Sequence, residues 1–389
     1  MTASDDRALG FGTRAIHAGQ EPDPSTGAIM TPIFQTSTYV QEAPDVHQGY
    51  DYARVGNPTR TALEQNIASL EEAEHGIAFA SGVAAIDAVL RRLRPGDHVV
   101  AGNDLYGGTY RLMRQIHEPM GIDFTFADLS EAGALEGALT EATKLVWLET
   151  PTNPLLRVTD IEALASIAHE AGVTVAVDNT FASPYLQRPL RLGADLVVHS
   201  TTKYLGGHSD VVGGAVLTSD EAWTEHLRFQ IKSVGAAPGP MDCFLLLRAT
   251  KTLHLRMERH CANAEAVARF LRDHDKVGRV MWPGFEDHPG HEVAAKQMSG
   301  FGGMVSLVLN DDALDTAVRL MQATEIFSLA ESLGGVESLI SHPASMTHGS
   351  IPADVRRAAG LPDSLVRLSV GVEDEADLIA DLDQALASI

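Results

Sequence analysis

Cysteine is scarce in this chain: Cys243 and Cys261 are the only two, and no C-x-x-C pair occurs. That argues against a disulfide framework or structural zinc and points to a reduced, cytoplasmic setting. Bases are also short, 29 Lys and Arg against 52 Asp and Glu, for a formal net charge of -23. A surplus of acid repels polyanions, so neither nucleic acid nor an anionic membrane surface is expected as a partner. No apolar run approaches the about 20 residues of a membrane-crossing helix. The opening Met1-Thr-Ala-Ser-Asp-Asp-Arg7 has neither the basic nor the apolar region of a secretory leader. Also missing, after a first strand, are G-x-G-x-x-G and G-x-x-x-x-G-K-[ST], which removes the grounds for a dehydrogenase or nucleotide hydrolase. Among 16 histidines the pair in His288-Pro-Gly-His291 matches no metal template, and no metal is expected.

What is present is globular in composition, 44% hydrophobic and 21% charged, and 389 residues is too long for one ordinary core. Residues 1–60 hold turn signals such as Glu21-Pro-Asp-Pro-Ser-Thr-Gly27 and read as an arm lying on a partner subunit. From about 61 to 250, short apolar runs alternate with helical periodicity. They are Ile77–Ala80, His98–Ala101, Phe124–Phe126, Lys144–Leu148, Thr174–Val177, Asp195–Val198 and Gly214–Leu217. Strands alternating with helices such as Ile161–Ala168 predict an α/β fold with a mostly parallel sheet and helices on both faces. After Gly239-Pro240 one long helix is expected over Asp242–His274. Strands at Met304–Leu309, Ile326–Leu329 and Leu365–Ser369 and a helix at Glu375–Leu386 then suggest a smaller α+β domain over 251–389.

Two residues stand out chemically. Asp178 ends the apolar run Thr174-Val-Ala-Val177, where open α/β sheets bind ligands, and a buried carboxylate there needs a cation. Taken alone, a helix cap or a structural ion pair explains it equally well. Lys203 follows Ser200-Thr-Thr202 at the end of another strand. Desolvation makes a lysine nucleophilic, and adjacent hydroxyls can hold a phosphate.

The segment Asp195-Leu-Val-Val-His-Ser-Thr-Thr-Lys-Tyr-Leu-Gly-Gly-His-Ser209 resembles the signature of the Cys/Met-metabolism enzymes that use pyridoxal 5′-phosphate (PLP). The resemblance runs from Thr13-Arg-Ala-Ile-His-Ala-Gly19 to Leu365-Val-Arg-Leu-Ser-Val-Gly371. It implies the aspartate aminotransferase-like PLP fold type I and PLP carried as a Schiff base on Lys203. By the same resemblance Asp178 pairs with the pyridine nitrogen, and Tyr106 stacks on the ring and takes part in catalysis. Ser81, Gly82 and Val83 cradle the phosphate at a helix N-terminus, with hydroxyls from Ser200 and Thr202. Thr180 lies beside the ring. Tyr52 and Arg54 reach the phosphate in the neighbouring subunit, so a homodimer, and by resemblance a homotetramer, with shared sites is implied. Arg367 grips the substrate α-carboxylate with Asn153 and Ser332; Arg111 lies near Tyr106.

Family members run β-elimination, γ-elimination or γ-replacement on this scaffold. Asp51 and Glu331 place two acids near the expected pocket mouth, where the distal ammonium of cystathionine would suit them. That favours cystathionine γ-lyase, with cystathionine γ-synthase as the alternative. Cystathionine β-lyase and methionine γ-lyase rank lower, the latter because its family members carry Cys where this chain has Gly108. His199, His208 and His342 read as satisfied polar residues, and Met298, Met304, Met321 and Met346 as packing.

Overall fold

The computed structural model describes residues 9–346, 357 and 360–389. Strands β1 (His75–Phe79), β2 (His98–Gly102), β3 (Asp123–Ala127), β4 (Thr143–Glu149), β5 (Thr174–Asp178), β6 (Leu196–Ser200) and β7 (Gly214–Thr218) form one sheet, in the order β1-β7-β6-β5-β4-β2-β3. The neighbours from β3 to β6 are parallel, whereas β7 is antiparallel to both β6 and β1. Buried on both faces, the central strands read as unbroken apolar runs rather than as an alternation.

Helices cover both faces. Gly82–Leu90 and Glu221–Val234 pack on the side of Trp147 and Val198, while Pro58–Glu71 and Ile161–Glu170 pack on the other. In Ile161–Glu170 the residues Ile161, Leu164, Ala165 and Ala168 are buried, a helical stripe, and the Asp160 side chain caps the start by accepting the Ala163 N–H at 3.0 Å. Burying each large aliphatic side chain of this kind contributes about 1.5–3 kcal/mol.

A second sheet contains β8 (Val277–Met281), β9 (Met304–Leu309), β10 (Ser328–Leu329), β11 (Leu339–Ser341) and β12 (Leu365–Ser369), in the order β10-β11-β12-β9-β8. It has its own core, including Val305, Leu307, Val366, Leu368 and Leu382. We propose domain divisions at about 60 and 250; no strand crosses residue 250, and limited proteolysis would test the boundary.

Three expectations change in detail. The helix expected over Asp242–His274 is two helices, Pro240–Thr250 and Leu253–Arg272. Between them Thr250 and Thr252 hydroxyls donate to the carbonyls of Leu247 and Ala249, and Arg256 Nη2 also donates to Ala249 O, so side chains occupy acceptors that would continue the helix. The strand expected at Ile326–Leu329 shrinks to Ser328–Leu329, because the Asp381 carboxylate takes the N–H groups of Glu325, Ile326 and Phe327. Two strands have no counterpart among those expected: β8, whose Gly-Arg centre is exposed, and the three-residue β11. No helix among the described residues is long and apolar enough to cross a membrane.

Candidate active site

The carboxyl ends of β4, β5 and β6 deliver Glu149, Asp178 and Ser200 to one cavity of about 230 Å³, closed by the segment 331–333. A wider cleft of about 830 Å³ lies elsewhere, beside Asp128, Arg157 and Arg279, but no lysine lines it. The smaller cavity holds Lys203 beside the buried acids Glu149 and Asp178.

Asp178 is 8% exposed, and burial raises its carboxyl above the usual carboxylate range. One oxygen accepts the Thr180 hydroxyl at 2.5 Å and the Thr180 N–H at 3.1 Å. Thr180 in turn accepts the Ser200 N–H at 2.9 Å, which ties β5 to β6. No cationic side chain bonds Asp178 among the described residues.

Lys203 sits in the turn after β6, where burial first, then the charge of Arg367, lowers its ammonium to about 8. Its Nζ donates to Ser332 Oγ at 2.7 Å. Ser332 holds that hydroxyl in place from a left-handed backbone, φ 91°, a conformation that costs a non-glycine residue about 1–3 kcal/mol.

Arg367 lies on β12 between β11 and β9, hence in the interior of the second sheet rather than on an edge. Its Nη1 donates to Asn153 Oδ1 at 2.8 Å and Nη2 to the Ser332 carbonyl at 3.0 Å. Burial lowers it to about 10, so it remains a cation at neutral pH. Its Nε has no partner among the described residues, an orphan donor that an anion would satisfy.

Opposite, the helix Gly82–Leu90 points its N-terminus at the end of β6. A Cβ on Gly82 would meet Ser200 Cβ at 2.8 Å, so only glycine brings these amides so close to the Ser200 hydroxyl.

The model of the Cys/Met metabolism PLP-dependent enzymes matches residues 12–387. The chain belongs to that family. It is 54% identical to a cystathionine gamma-synthase of Mycobacterium bovis, over 97% of each chain. It is 50% identical to a cystathionine beta-lyase of Coxiella burnetii, over 99% of this chain and all of the other. The crystal structure of a cystathionine gamma-lyase from Lactobacillus plantarum superposes with a TM-score of 0.95 at 46% identity, covering 98% of this chain and 99% of that one. The fold is therefore PLP fold type I and the chain is a PLP-dependent trans-sulfuration enzyme. These relatives name three activities, so they fix the chemistry's class and leave the reaction open.

This cavity fits the family's cofactor. The unpaired buried acid Asp178 suits a pyridinium, the Gly82 amides with the Ser200 and Thr202 hydroxyls suit a phosphate, and the depressed Lys203 suits a carbonyl. Thr202 Oγ1 donates its proton to Gly213 O at 3.2 Å and accepts the Gly213 N–H at 3.0 Å, so it would have to turn that proton to serve a phosphate.

Of the residues singled out in the sequence, Gly82, Val83, Tyr106, Asn153, Asp178, Thr180, Ser200, Thr202, Lys203, Glu331, Ser332 and Arg367 line the cavity. Five do not. Ser81 instead caps its helix, accepting the Ala84 N–H at 3.1 Å. Asp51 turns back to accept the Tyr52 N–H at 2.7 Å. Tyr52 is 43% exposed with the Arg54 guanidinium 5.4 Å from its ring, and Arg54 also donates to Lys232 O. Arg111 is exposed, although its charge acts on Tyr106.

One ionisable cavity residue was missed, along with the apolar wall of Ile86, Phe181, Val212 and Leu333. Glu149 ends the apolar run Leu145-Val-Trp-Leu148 as Asp178 ends its own, and lies beside it in register. Like Asp178, Glu149 is a lone charge closing an apolar run, the same signal in the sequence.

Proposed function

We propose that this enzyme is a cystathionine γ-lyase, cleaving the Cγ–S bond of cystathionine with water to give cysteine, 2-oxobutanoate and ammonia. The observation that carries the reading is Glu331. It lies in the cavity wall next to Ser332, and its charge acts on Lys203, Tyr106 and Arg367. A carboxylate there suits the distal ammonium of cystathionine, while Arg367, with its free Nε, suits the α-carboxylate at the reacting end. Asp51 gives no such support within one chain.

When bound, PLP supplies an electron sink for the substrate's α-carbon. Lys203 Nζ, poised near neutral pH, takes the proton from Cα and can return one to the carbon skeleton. Tyr106 keeps its phenol proton, because burial and the nearby carboxylates raise it, and so can donate to the departing sulfur. Gly108 weighs against methionine γ-lyase: a Cβ there would lie 2.3 Å from Tyr106 Cε1, so any larger residue must displace the ring.

The second reading is cystathionine γ-synthase, supported by the name of the Mycobacterium bovis relative. Val55, following Arg54, offers no cation for a succinyl carboxylate, which favours the lyase. The test compares kcat/KM for cystathionine cleavage with that for condensation of an O-acyl-homoserine with cysteine. Cleavage should lead. Condensation ahead by more than about tenfold, about 1.4 kcal/mol, would establish the synthase instead.

We also propose that Tyr52 and Arg54, outside their own chain's cavity, complete the phosphate site of a second copy. Inactive Lys203→Ala and Arg54→Ala proteins refolded together should regain activity, since a mixed dimer holds one intact site. Confirmed heterodimers without activity would reject sharing.

A further inference from the structure

Glu149 has no role in the assignments above, and it is an expensive residue where it stands. It is 7% exposed and ends β4 directly beside Asp178 on β5. Burial first, then the Asp178 charge, pushes its carboxyl well above the usual carboxylate range. Two acids side by side in a buried sheet repel each other, and any uncharged side chain would avoid that cost.

Its hydrogen bonds show what the acid does. Glu149 Oε2 accepts the backbone N–H of Tyr106 at 2.8 Å, and the backbone N–H of Asn153, four residues on, lies near enough to favour the charged carboxylate. Tyr106 stands at the start of the helix Gly107–Leu112, in the loop after β2; Asn153 stands in the loop after β4. Each carries a different part of the site. Tyr106 supplies the aromatic wall of the cofactor cavity, and Asn153 Oδ1 holds Arg367. A buried main-chain N–H left without an acceptor costs about 1–3 kcal/mol, so the side chain that accepts it from the end of β4 holds the Tyr106 loop in place.

We propose that Glu149 is a positioning residue that sets two things together: the Tyr106 ring against the cofactor, and the Asn153–Arg367 pair against the substrate carboxylate. The inference rests on the cofactor occupying this cavity, and it is independent of which C–S bond the enzyme breaks. It makes a specific demand: one substitution must weaken two binding events whose own contact residues lie on different loops.

The experiment uses full-length Glu149→Ala and Glu149→Gln. Cofactor-free protein is titrated with PLP and its absorbance followed for Kd; holoenzyme then gives KM and kcat for its preferred substrate. Glu149→Ala should weaken PLP binding and raise KM, each by about tenfold or more, the scale of leaving one buried main-chain N–H without its acceptor. Glu149→Gln keeps an acceptor for the Tyr106 N–H and should restore PLP affinity to within about threefold of the parent. A folded Glu149→Ala protein with parental Kd and KM would overturn the proposal. So would loss of kcat alone, or a Gln variant no better than Ala. If Glu149→Ala does not fold, Glu149→Asp, one methylene short of both N–H groups, takes its place and should shift Kd and KM in the same direction; parental values there would also overturn it. Borohydride reduction and peptide mapping of the parent separates the two failures, because PLP found on a lysine other than Lys203 rejects the cavity assignment instead.

Discussion

Lys203→Ala is expected to lower turnover by at least about 10⁴-fold, the upper range for removing a positioned general acid–base group. The basis is the amine's environment. Held at about 8 by burial and by Arg367, roughly one Lys203 in ten is neutral at pH 7, against fewer than one in a thousand for an ordinary lysine. No other lysine lines the cavity, so no residue can substitute. The variant should still bind PLP, since Asp178, the Gly82 amides and the Tyr106 ring remain, but borohydride should no longer fix the cofactor to the chain. Near-parental turnover, or cofactor still fixed by reduction, would remove Lys203 from its role.

The large sheet was legible because its central strands are buried on both faces, which leaves runs such as Val175-Ala-Val177 that no surface helix would show. Asp178 was legible for a related reason: a charge is conspicuous at the end of such a run. Glu149 had the same signal, and only its placement against Asp178 reveals that two acids share the site. The break at Lys251-Thr252 was not legible, since hydroxyl and guanidinium donors create it without a glycine or proline. Arg367 came from the resemblance alone, because an arginine in a short strand suggests a surface position, and only the pairing of β12 with both β11 and β9 shows it buried. The contact of Lys203 with Ser332 joins residues 129 apart in sequence, and its left-handed serine has no local sign. Long-range pairing of this kind is what separates the site from the motif.

Asp178→Asn should lower kcat/KM by about 10²- to 10³-fold or more, from the roughly 3–5 kcal/mol that truncating one partner of a buried ion pair costs. Asparagine keeps the shape and can still accept the Thr180 hydroxyl and N–H, so the loss isolates the charge. Without it the pyridine nitrogen has no anion to keep it protonated, and PLP binding should weaken as well. The cofactor-free protein should respond in the opposite sense. An acid whose folded carboxyl is raised binds its proton more tightly in the native state. Its stability cost is therefore absent below the unfolded value, 3.8, grows as pH rises from there to the folded value, and is fully present above it. At neutral pH the apo Asp178→Asn protein should thus unfold at a higher temperature than the apo parent, and the gap should close in acid. A carboxylate serving only the fold through an ion pair would give the reverse: a less stable apo variant with its PLP affinity intact. That pair of results, from thermal unfolding and PLP titration, would mean that Asp178 holds the sheet rather than the cofactor.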